Sequence, residues 1–322
     1  MNKRELVRQA IAHRETERVP YCVMFTDEAE ALIRPHYPEG DLQLAVGNDV
    51  YLIGPPWWDW YNVPDSYRHY EAPDTLPMTR GRGCYEQFFE KCKRIRGETD
   101  CYLLATIWGS HFEKAYFARG IENFLADLAG EPEFSQRLLD SIIRKNLVML
   151  EAFITCDELD GVLLGSDWGS QKSLLMSPAI WRERIKPGEM KEYALIKEAR
   201  KDVWIHSCGN VEAILPDLAE MGVDVLNPLQ PECMDISDIK SRFGDKLAFW
   251  GGISTQQTLP NGTPDEVRAV TRQTILEMSG GGGYIAAPSQ SLQDDVPVEN
   301  VLALLSELVH YRRPAASLVY RR

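Results

Sequence analysis

The most informative stretch of the sequence is Val203-Trp204-Ile205-His206-Ser207-Cys208-Gly209-Asn210. A short apolar run ends abruptly in polar residues and a Gly-Asn pair, which is typical of a buried strand followed by a turn. Because side chains alternate along a strand, His206 and Cys208 point the same way. An imidazole beside a thiol indicates a site for zinc or another borderline-soft metal. The alternative is a buried histidine next to an inert buried cysteine.

Similar apolar runs recur along the chain. They lie at residues 19–25, 49–54, 101–107, 161–165, 203–206, 223–227, 246–252 and 283–288. Helical spacing of apolar residues separates most of them, and residues 1–18 predict a further amphipathic helix. Continuous apolar runs indicate strands buried on both faces, as in parallel sheets. The pattern predicts an α/β fold, a (β/α)8 barrel with an N-terminal helical extension, in a single domain over residues 1–322.

Composition limits the classes of function. The chain is 44% hydrophobic and 26% charged, as expected of a globular protein, and its formal net charge is −13. This charge disfavours nucleic acid and anionic membranes as partners. No apolar run is long enough for a transmembrane helix, and no G-x-G-x-x-G motif follows the first run. Seven scattered cysteines and a start without an apolar signal core predict reduced thiols and a cytoplasmic location.

Polar residues follow several of the predicted strands. In a (β/α)8 barrel the carboxyl ends of the strands share one mouth, where catalytic groups gather. The candidates are Asp27, Asp167, Gln171, His206, Cys208, Asn227, Gln230, Glu232, Cys233, Ser289 and Gln290. Their convergence strengthens the metal interpretation. The alternatives are helix capping by Asp27, turn capping by Asp167, and ordinary solvation of Gln230 and Glu232 in a loop.

Tryptophans concentrate at the same predicted strand ends. Of the eight tryptophans, six lie there: Trp57, Trp58, Trp60, Trp108, Trp168 and Trp250. An aromatic-lined mouth suits a flat or aromatic ligand, or a large cofactor presented by a partner. The alternative is that some of these rings only cover the top of the barrel.

Several motifs together resemble the uroporphyrinogen decarboxylase superfamily over nearly the whole chain. These motifs are Arg18-Val19-Pro20, Asp167-Trp168-Gly169-Ser170-Gln171, Leu175-Met176-Ser177-Pro178, Lys186-Pro187, His206-Ser207-Cys208-Gly209-Asn210, Asn227-Pro228-Leu229-Gln230-Pro231-Glu232, Trp250-Gly251-Gly252-Ile253 and Asp295-Val296-Pro297-Val298-Glu299-Asn300. The resemblance implies a (β/α)8 barrel, in agreement with the strand count.

The resemblance also distinguishes two chemistries. True decarboxylases of the superfamily carry Arg-Gln-Ala-Gly-Arg-Tyr near the first strand, where this chain has residues 24–29, Met-Phe-Thr-Asp-Glu-Ala. The arginines that would hold substrate carboxylates are missing. The cobalamin-dependent methyltransferases bind zinc through a His-x-Cys pair at the fifth strand, which His206 and Cys208 match. Their coenzyme M branch takes its third ligand from a cysteine after the eighth strand, which residues 286–290 lack. We therefore expect Glu232 as the third zinc ligand, with Cys233 as the alternative.

The resemblance thus implies a zinc-dependent methyltransferase of the O-demethylase type. It would move a methyl group from a small, methoxyaromatic donor to the cobalamin of a separate corrinoid protein, since the chain lacks an Asp-x-His-x-x-Gly segment. Asp167 and Gln171 are the expected catalytic residues. The expected substrate-binding residues are Trp57, Trp108, Trp168, Asn227, Gln230, Trp250 and Gln290. A tetrapyrrole decarboxylase and a non-catalytic corrinoid-binding or ligand-binding protein are the alternatives, and homodimerisation is left open.

Overall fold

The structure is a computed structural model that describes residues 1–60, 78–81 and 83–312. Its strands are β1 Val50–Ile53, β2 Trp57–Trp60, β3 Met78–Gly81, β4 Tyr102–Ile107, β5 Gly161–Gly165, β6 Asp202–His206, β7 Val225–Leu229, β8 Ala248–Ile253 and β9 Tyr284–Pro288. Every predicted apolar run except the first therefore overlaps a regular strand of the main sheet.

Helices fill most of the segments between the strands. They are α1 Lys3–Ile11, α2 Asp27–Ile33, α3 Leu42–Ala45, α4 Tyr85–Glu98, α5 His111–Arg119, α6 Ile121–Gly130, α7 Pro132–Phe153, α8 Pro178–Ile180, α9 Lys186–Glu198, α10 Leu215–Glu220, α11 Ile236–Phe243, α12 Thr258–Asn261, α13 Pro264–Met278 and α14 Val298–His310. Within the described ranges, no helix is both long enough and apolar enough to span a membrane.

The chain divides into two compact units. The first unit comprises Met1–Leu52, Asp100–Tyr102 and Asp224–Arg322, and the second comprises Ile53–Thr99 and Leu103–Val223. The single domain expected from the sequence stays a prediction.

The second unit contains three parallel strands in chain order. β4 pairs with β5 and β5 pairs with β6, and Gly165 lies opposite His206 at the carboxyl end. Side chains of β4 and β5 are buried along their whole length, which explains why these strands have continuous apolar sequences. A separate antiparallel hairpin pairs β2 with β3. The expected tryptophans Trp58 and Trp60 lie in β2, but their side chains are outside the described part of the structure.

The first unit also contains three parallel strands, β7, β8 and β9. The first predicted strand, residues 19–25, runs beside β9 as an extended segment with isolated bridges at Tyr21 and Phe25. Cys22 N–H donates to the Ala286 carbonyl at 3.2 Å, and Ala286 N–H donates to the Pro20 carbonyl at 2.8 Å. Because Pro20 has no N–H to donate, it limits regular pairing at the start of this segment.

The other side of residues 19–25 is held largely by side chains rather than by a full ladder. The buried Asp49 carboxylate accepts two hydrogen bonds from the Arg18 guanidinium, at 2.7 and 2.6 Å, and one from the Tyr21 N–H at 3.0 Å. Asn48 exchanges two side-chain bonds of 2.9 Å with the backbone of Val23. These contacts give Arg18, in the Arg-Val-Pro motif, a structural role.

The sequence pattern predicts one helix over residues 111–128, but the structure has two. Gly120, whose φ is +84°, separates the end of α5 from the start of α6. This left-handed backbone is accessible to glycine at little cost, and it changes the direction of the chain. The apolar spacing continues across the break, so the periodicity did not reveal it.

A small stability effect is expected at the start of α13. Thr263 Oγ1 accepts from the Glu266 N–H at 3.3 Å, and Glu266 Oε2 accepts from the Thr263 N–H at 2.7 Å, forming a capping box. Thr263→Ala removes one cap and should lower the free energy of unfolding by about 1 kcal/mol in urea titration. Gln273→Ala, on the exposed face of the same helix, is the control, and an equal loss there would contradict the capping argument.

Candidate functional site

Three potential metal ligands meet at the carboxyl ends of β5 and β6. His206 ends β6, Cys208 follows two residues later, and Asp167 lies two residues beyond β5. His206 Nε2 lies 3.5 Å from Cys208 Sγ and 3.6 Å from Asp167 Oδ1. All three ligand atoms lie within 4.8 Å of one another. The structure thus brings the predicted His-x-Cys pair together with the predicted catalytic aspartate.

The backbone fixes this arrangement. Cys208 N–H donates to Asp167 Oδ1 at 2.9 Å, and Trp168 N–H donates to Ser207 Oγ at 2.9 Å. Asp167 has a φ of +41°, a left-handed conformation that is uncommon outside glycine and that concentrates at functional sites. The loops after β5 and β6 are therefore tied to each other, and each carries at least one ligand.

The close approach of these loops depends on Gly169 and Gly209. A Cβ on Gly169 would lie 2.4 Å from the Cys208 carbonyl oxygen. A Cβ on Gly209, whose φ is +84°, would lie 2.5 Å from the Gly169 carbonyl carbon and 2.5 Å from the Ser170 oxygen. The Asn210 N–H donates to the Ser170 carbonyl at 2.7 Å across the same gap. Glycine is thus needed where the backbones touch.

The ligand spacing fits zinc. In a tetrahedral site with Zn–N of about 2.05 Å and Zn–S of about 2.3 Å, the nitrogen and sulfur lie about 3.5 Å apart. The His206–Cys208 separation is 3.5 Å. Three ligands of mixed N, S and O type leave the fourth position open, as in catalytic rather than structural zinc sites. The residues present therefore fit the metal that the resemblance implies.

An apolar cavity of about 550 Å³ lies in the same unit. Trp108, which follows β4, contributes to its wall and packs edge-on against the His206 ring with centroids 5.2 Å apart. Two of the predicted substrate-binding tryptophans, Trp57 and Trp108, line it. The other lining residues are Gly54, Pro55, Thr106, Ile107, Gly109, Glu113, Lys114, Phe117 and Met149. This wall suits a flat, apolar ligand.

Glu113 is a buried acid in the wall of this cavity. The Gly109 N–H and the Tyr116 hydroxyl hydrogen-bond its carboxylate. Burial, followed by the charge of Asp167, nevertheless raises the pKa of Glu113 to about 7. The residue was missed by sequence reasoning because it lies on a helix, where one glutamate among many carries no signal.

A buried polar cluster connects α5 and α9 to the loop after β5. His111 Nδ1 lies 3.0 Å from Glu189 Oε1, and Ser166 Oγ donates to the same oxygen at 3.4 Å. Burial disfavours a charged imidazole, but Glu189 and Glu192 outweigh it and raise the pKa of His111. The His111 side chain is completely buried, which supports a structural role.

A second carboxylate in this cluster has its own partners. Ser110 Oγ donates to Glu192 Oε2 at 3.2 Å, and Asn146 Nδ2 donates to Glu192 Oε1 at 2.7 Å. Lys114 Nζ in turn donates to Asn146 Oδ1 at 3.0 Å. The Asn146 amide therefore links the Lys114 ammonium group to the Glu192 carboxylate within one buried network.

The remaining predicted residues belong mainly to the first unit. Glu232, the expected third ligand, accepts hydrogen bonds from Ser254 Oγ, from the Gln256 N–H at 3.3 Å and from Ser289 Oγ at 3.5 Å. Cys233 Sγ lies 3.9 Å from Gln230 Oε1. The role of Glu232 or Cys233 as a ligand stays a prediction.

Gln230 and Gln290 line a second, polar cavity of about 380 Å³ within the first unit, together with Thr255, Asn261, Gln293 and Asp295. Asn227 is buried and donates to the Trp250 carbonyl at 3.1 Å, and Trp250 Nε1 donates to the Cys22 carbonyl at 3.0 Å. Gln230 and Gln290 thus share a cavity, while Asn227 and Trp250 make hydrogen bonds to buried backbone carbonyls. A role of these four residues in substrate binding stays a prediction.

Two further predicted residues lie in the second unit. Trp168 has no exposed surface and packs edge-on against Trp181, with centroids 5.4 Å apart. Gln171 is exposed in the loop after β5. Substrate contact by Trp168 and a catalytic role for Gln171 stay predictions.

The comparisons with known proteins agree with the predicted family. The family model for uroporphyrinogen decarboxylase matches residues 62–311. The chain therefore belongs to the uroporphyrinogen decarboxylase family, and this part of the sequence interpretation is confirmed.

Two curated relatives are methyltransferases. The chain is 31% identical over 137 residues to methylcobamide:CoM methyltransferase MtaA of Methanosarcina barkeri, a match that covers 42% of this chain and 38% of that protein. It is 24% identical over 192 residues to the methylated-thiol–coenzyme M methyltransferase of Methanosarcina mazei, covering 60% and 49%. The chain thus spans less than half the length of these relatives.

Among solved structures, a methyltransferase from Methanosarcina mazei is similar over 96% of this chain and 98% of its own, with a TM-score of 0.70 and 18% sequence identity. At this identity the likeness shows the fold alone. Together with the family match it confirms the predicted (β/α)8 barrel class.

Proposed function

We propose that the protein is a zinc-dependent methyltransferase that moves a methyl group from a small methoxyaromatic donor to a corrinoid protein. The observation that carries the proposal is the group formed by His206, Cys208 and Asp167, whose ligand atoms lie within 4.8 Å of one another. The two curated relatives are named as methyltransferases acting on a methylcobamide and on a methylated thiol, which supports this class of reaction.

The metal would be held by His206 Nε2, Cys208 Sγ and Asp167 Oδ1. Zinc bound there would supply Lewis-acid polarisation of the atom from which the methyl group departs. This proposal changes the role of Asp167 from an expected catalytic residue to a metal ligand, since its Oδ1 lies 3.6 Å from His206 Nε2. On this proposal Glu232 is not needed for metal binding, so Glu232→Gln should keep its zinc.

The chain's own residues would bind and orient the donor. Trp57, Trp108 and Phe117 present apolar surface on which an aromatic ring can pack, and they exclude water from it. In the first unit, the separate polar cavity lined by Gln230 and Gln290 offers amide groups that are suited to hydrogen bonds with a polar ligand. The acceptor is the reduced corrinoid of a separate protein, which enters as the second substrate.

A methyl-transfer assay tests the proposal. The protein is incubated with cob(I)alamin and, in parallel, with methoxyaromatics, methylamines and a methyl thioether, and methylcobalamin is followed by its absorbance. We expect turnover with methoxyaromatics and none when the metal has been removed by a chelator, with recovery after zinc is restored.

The same protein is tested for conversion of uroporphyrinogen in the absence of cobalamin. Decarboxylation without methyl transfer would replace the proposal with the other chemistry of the family. Tight binding of a corrinoid without turnover of any donor would instead identify a binding protein.

A further inference from the structure

Glu113 is the one acidic side chain that lines the apolar cavity among the residues the structure describes. Lys114 is the neighbouring charged group, and its Nζ donates to Asn146 at 3.0 Å in the buried polar cluster. The acid therefore lies at a wall that otherwise offers mainly apolar surface and backbone to a ligand.

The position of the Glu113 carboxyl group is defined by Gly165, the last residue of β5. A Cβ on Gly165 would lie 3.3 Å from Glu113 Oε2 and 3.2 Å from Trp108 Cε3. Trp108 in turn packs against His206, and Asp167 follows Gly165 by two residues. The carboxyl group and the proposed metal ligands thus lie on the same side of the second unit, with the Trp108 ring beside both.

An acid at this place would add to the polarisation that bound zinc would supply to the same oxygen. When a methyl aryl ether gives its methyl group to a nucleophile, the carbon–oxygen bond breaks and the oxygen keeps the electron pair. A phenolate is a poor leaving group because phenols of the tyrosine type have a pKa of about 10. Protonation of the oxygen as the bond breaks removes this difficulty.

We propose that Glu113 is the catalytic acid that protonates the departing aryl oxygen, an inference that rests on the proposed function. The Glu113 O–H bond breaks and its proton goes to the ether oxygen as the methyl–oxygen bond breaks. The methyl carbon forms its new bond with the electron pair of the cobalt(I) acceptor. The products are the phenol, the methylated acceptor and the Glu113 carboxylate, which regains a proton from solvent.

The electrostatic surroundings favour this role. Burial in the low-polarity wall favours the neutral carboxyl group, while the Gly109 N–H, the Tyr116 hydroxyl and Lys114 favour the carboxylate. Burial is the largest of these effects and raises the pKa of Glu113, so its carboxyl group keeps a proton at neutral pH more readily than an exposed glutamate does. An ordinary exposed glutamate would be almost fully ionised there.

The test compares the wild type with Glu113→Gln on a series of para-substituted methoxybenzenes, from 4-methyl to 4-nitro, with cob(I)alamin as acceptor. Glutamine keeps the shape of the side chain but has no acidic proton. We expect kcat for the 4-methyl donor, whose phenolate is the most basic leaving group, to fall by about 100-fold. The loss should shrink steadily towards the 4-nitro donor, whose phenolate leaves without assistance. Donor binding, followed by tryptophan fluorescence, and zinc content should not change.

Glu122→Gln, an exposed position on α6, is the matched control and should behave as wild type. An active wild type whose Glu113→Gln variant loses the same factor with every donor, or nothing, would overturn the inference alone. A wild type that transfers no methyl group from any donor would overturn the proposed function, and the inference with it.

Discussion

Replacement of His206 by alanine is expected to remove bound zinc and to lower methyl transfer by at least about 100-fold, because the imidazole is one of the three proposed ligands. Metal analysis of protein purified without chelator should give about one zinc per chain for the wild type and close to none for the variant. Cys208→Ala should behave in the same way. The His206 side chain is nearly buried, so thermal unfolding is followed to confirm that the variant is folded.

Three variants distinguish the candidates for the third zinc ligand. Asp167→Asn should weaken zinc binding by about 10- to 100-fold, whereas Glu232→Gln should leave it unchanged. Cys233→Ala is included because its thiol lies in the same loop as Glu232. Retention of zinc in Asp167→Asn together with loss in Glu232→Gln would restore the expectation from the sequence. Retention of zinc and activity in His206→Ala would refute the metal site altogether.

The second large effect is expected at Gly209. Alanine there meets two penalties, a left-handed backbone and a Cβ placed 2.5 Å from backbone atoms of Gly169 and Ser170. The two loops must separate, so we expect the free energy of unfolding to fall by about 3 kcal/mol. Because the same loops carry Asp167 and Cys208, zinc should also be lost, and transfer should fall by about 100-fold through displacement of the ligands.

Gly222→Ala separates these two penalties. Its φ is +85°, nearly equal to the +84° of Gly209, but no atom lies within 4 Å of its added Cβ. This variant should lose about 1 kcal/mol from the backbone conformation alone and keep its zinc. Urea titration and metal analysis of both variants provide the comparison. Equal losses of stability, with zinc retained in both, would show that the contact between the loops has no importance for the site.

The strands were predictable because a strand that is buried on both faces has a continuous apolar sequence. Runs such as Val203–Ile205 are continuous apolar stretches, and the structure buries them on both sides. Residues 19–25 were predicted as an equal partner, but a proline and side-chain bonds from Asn48 and Asp49 replace much of the ladder there. The break at Gly120 was not predictable from periodicity, since one glycine in a helical pattern is compatible with continuation.

The site was predictable to the extent that it is local. His206 and Cys208 are two residues apart on one strand, so alternation alone places them together. Asp167 joins them through the positive φ of its own turn, which no spacing rule specifies. Glu113 lies on helix α5, and its carboxyl group reaches the cavity beside Gly165 of β5. Such long-range placement depends on packing, which a single sequence does not display.

The hydrogen bond from the Cys208 N–H to Asp167 Oδ1 has a consequence for what the metal contributes. Folding alone gathers the donor atoms, since glycines and backbone bonds already hold the two loops together. A metal ion that bound between these loops would therefore not be needed for folding. A zinc finger, in contrast, folds only with its metal. Zinc bound at the proposed site would therefore serve the reaction and not the folding of the chain, and its affinity could be tuned for chemistry without loss of stability.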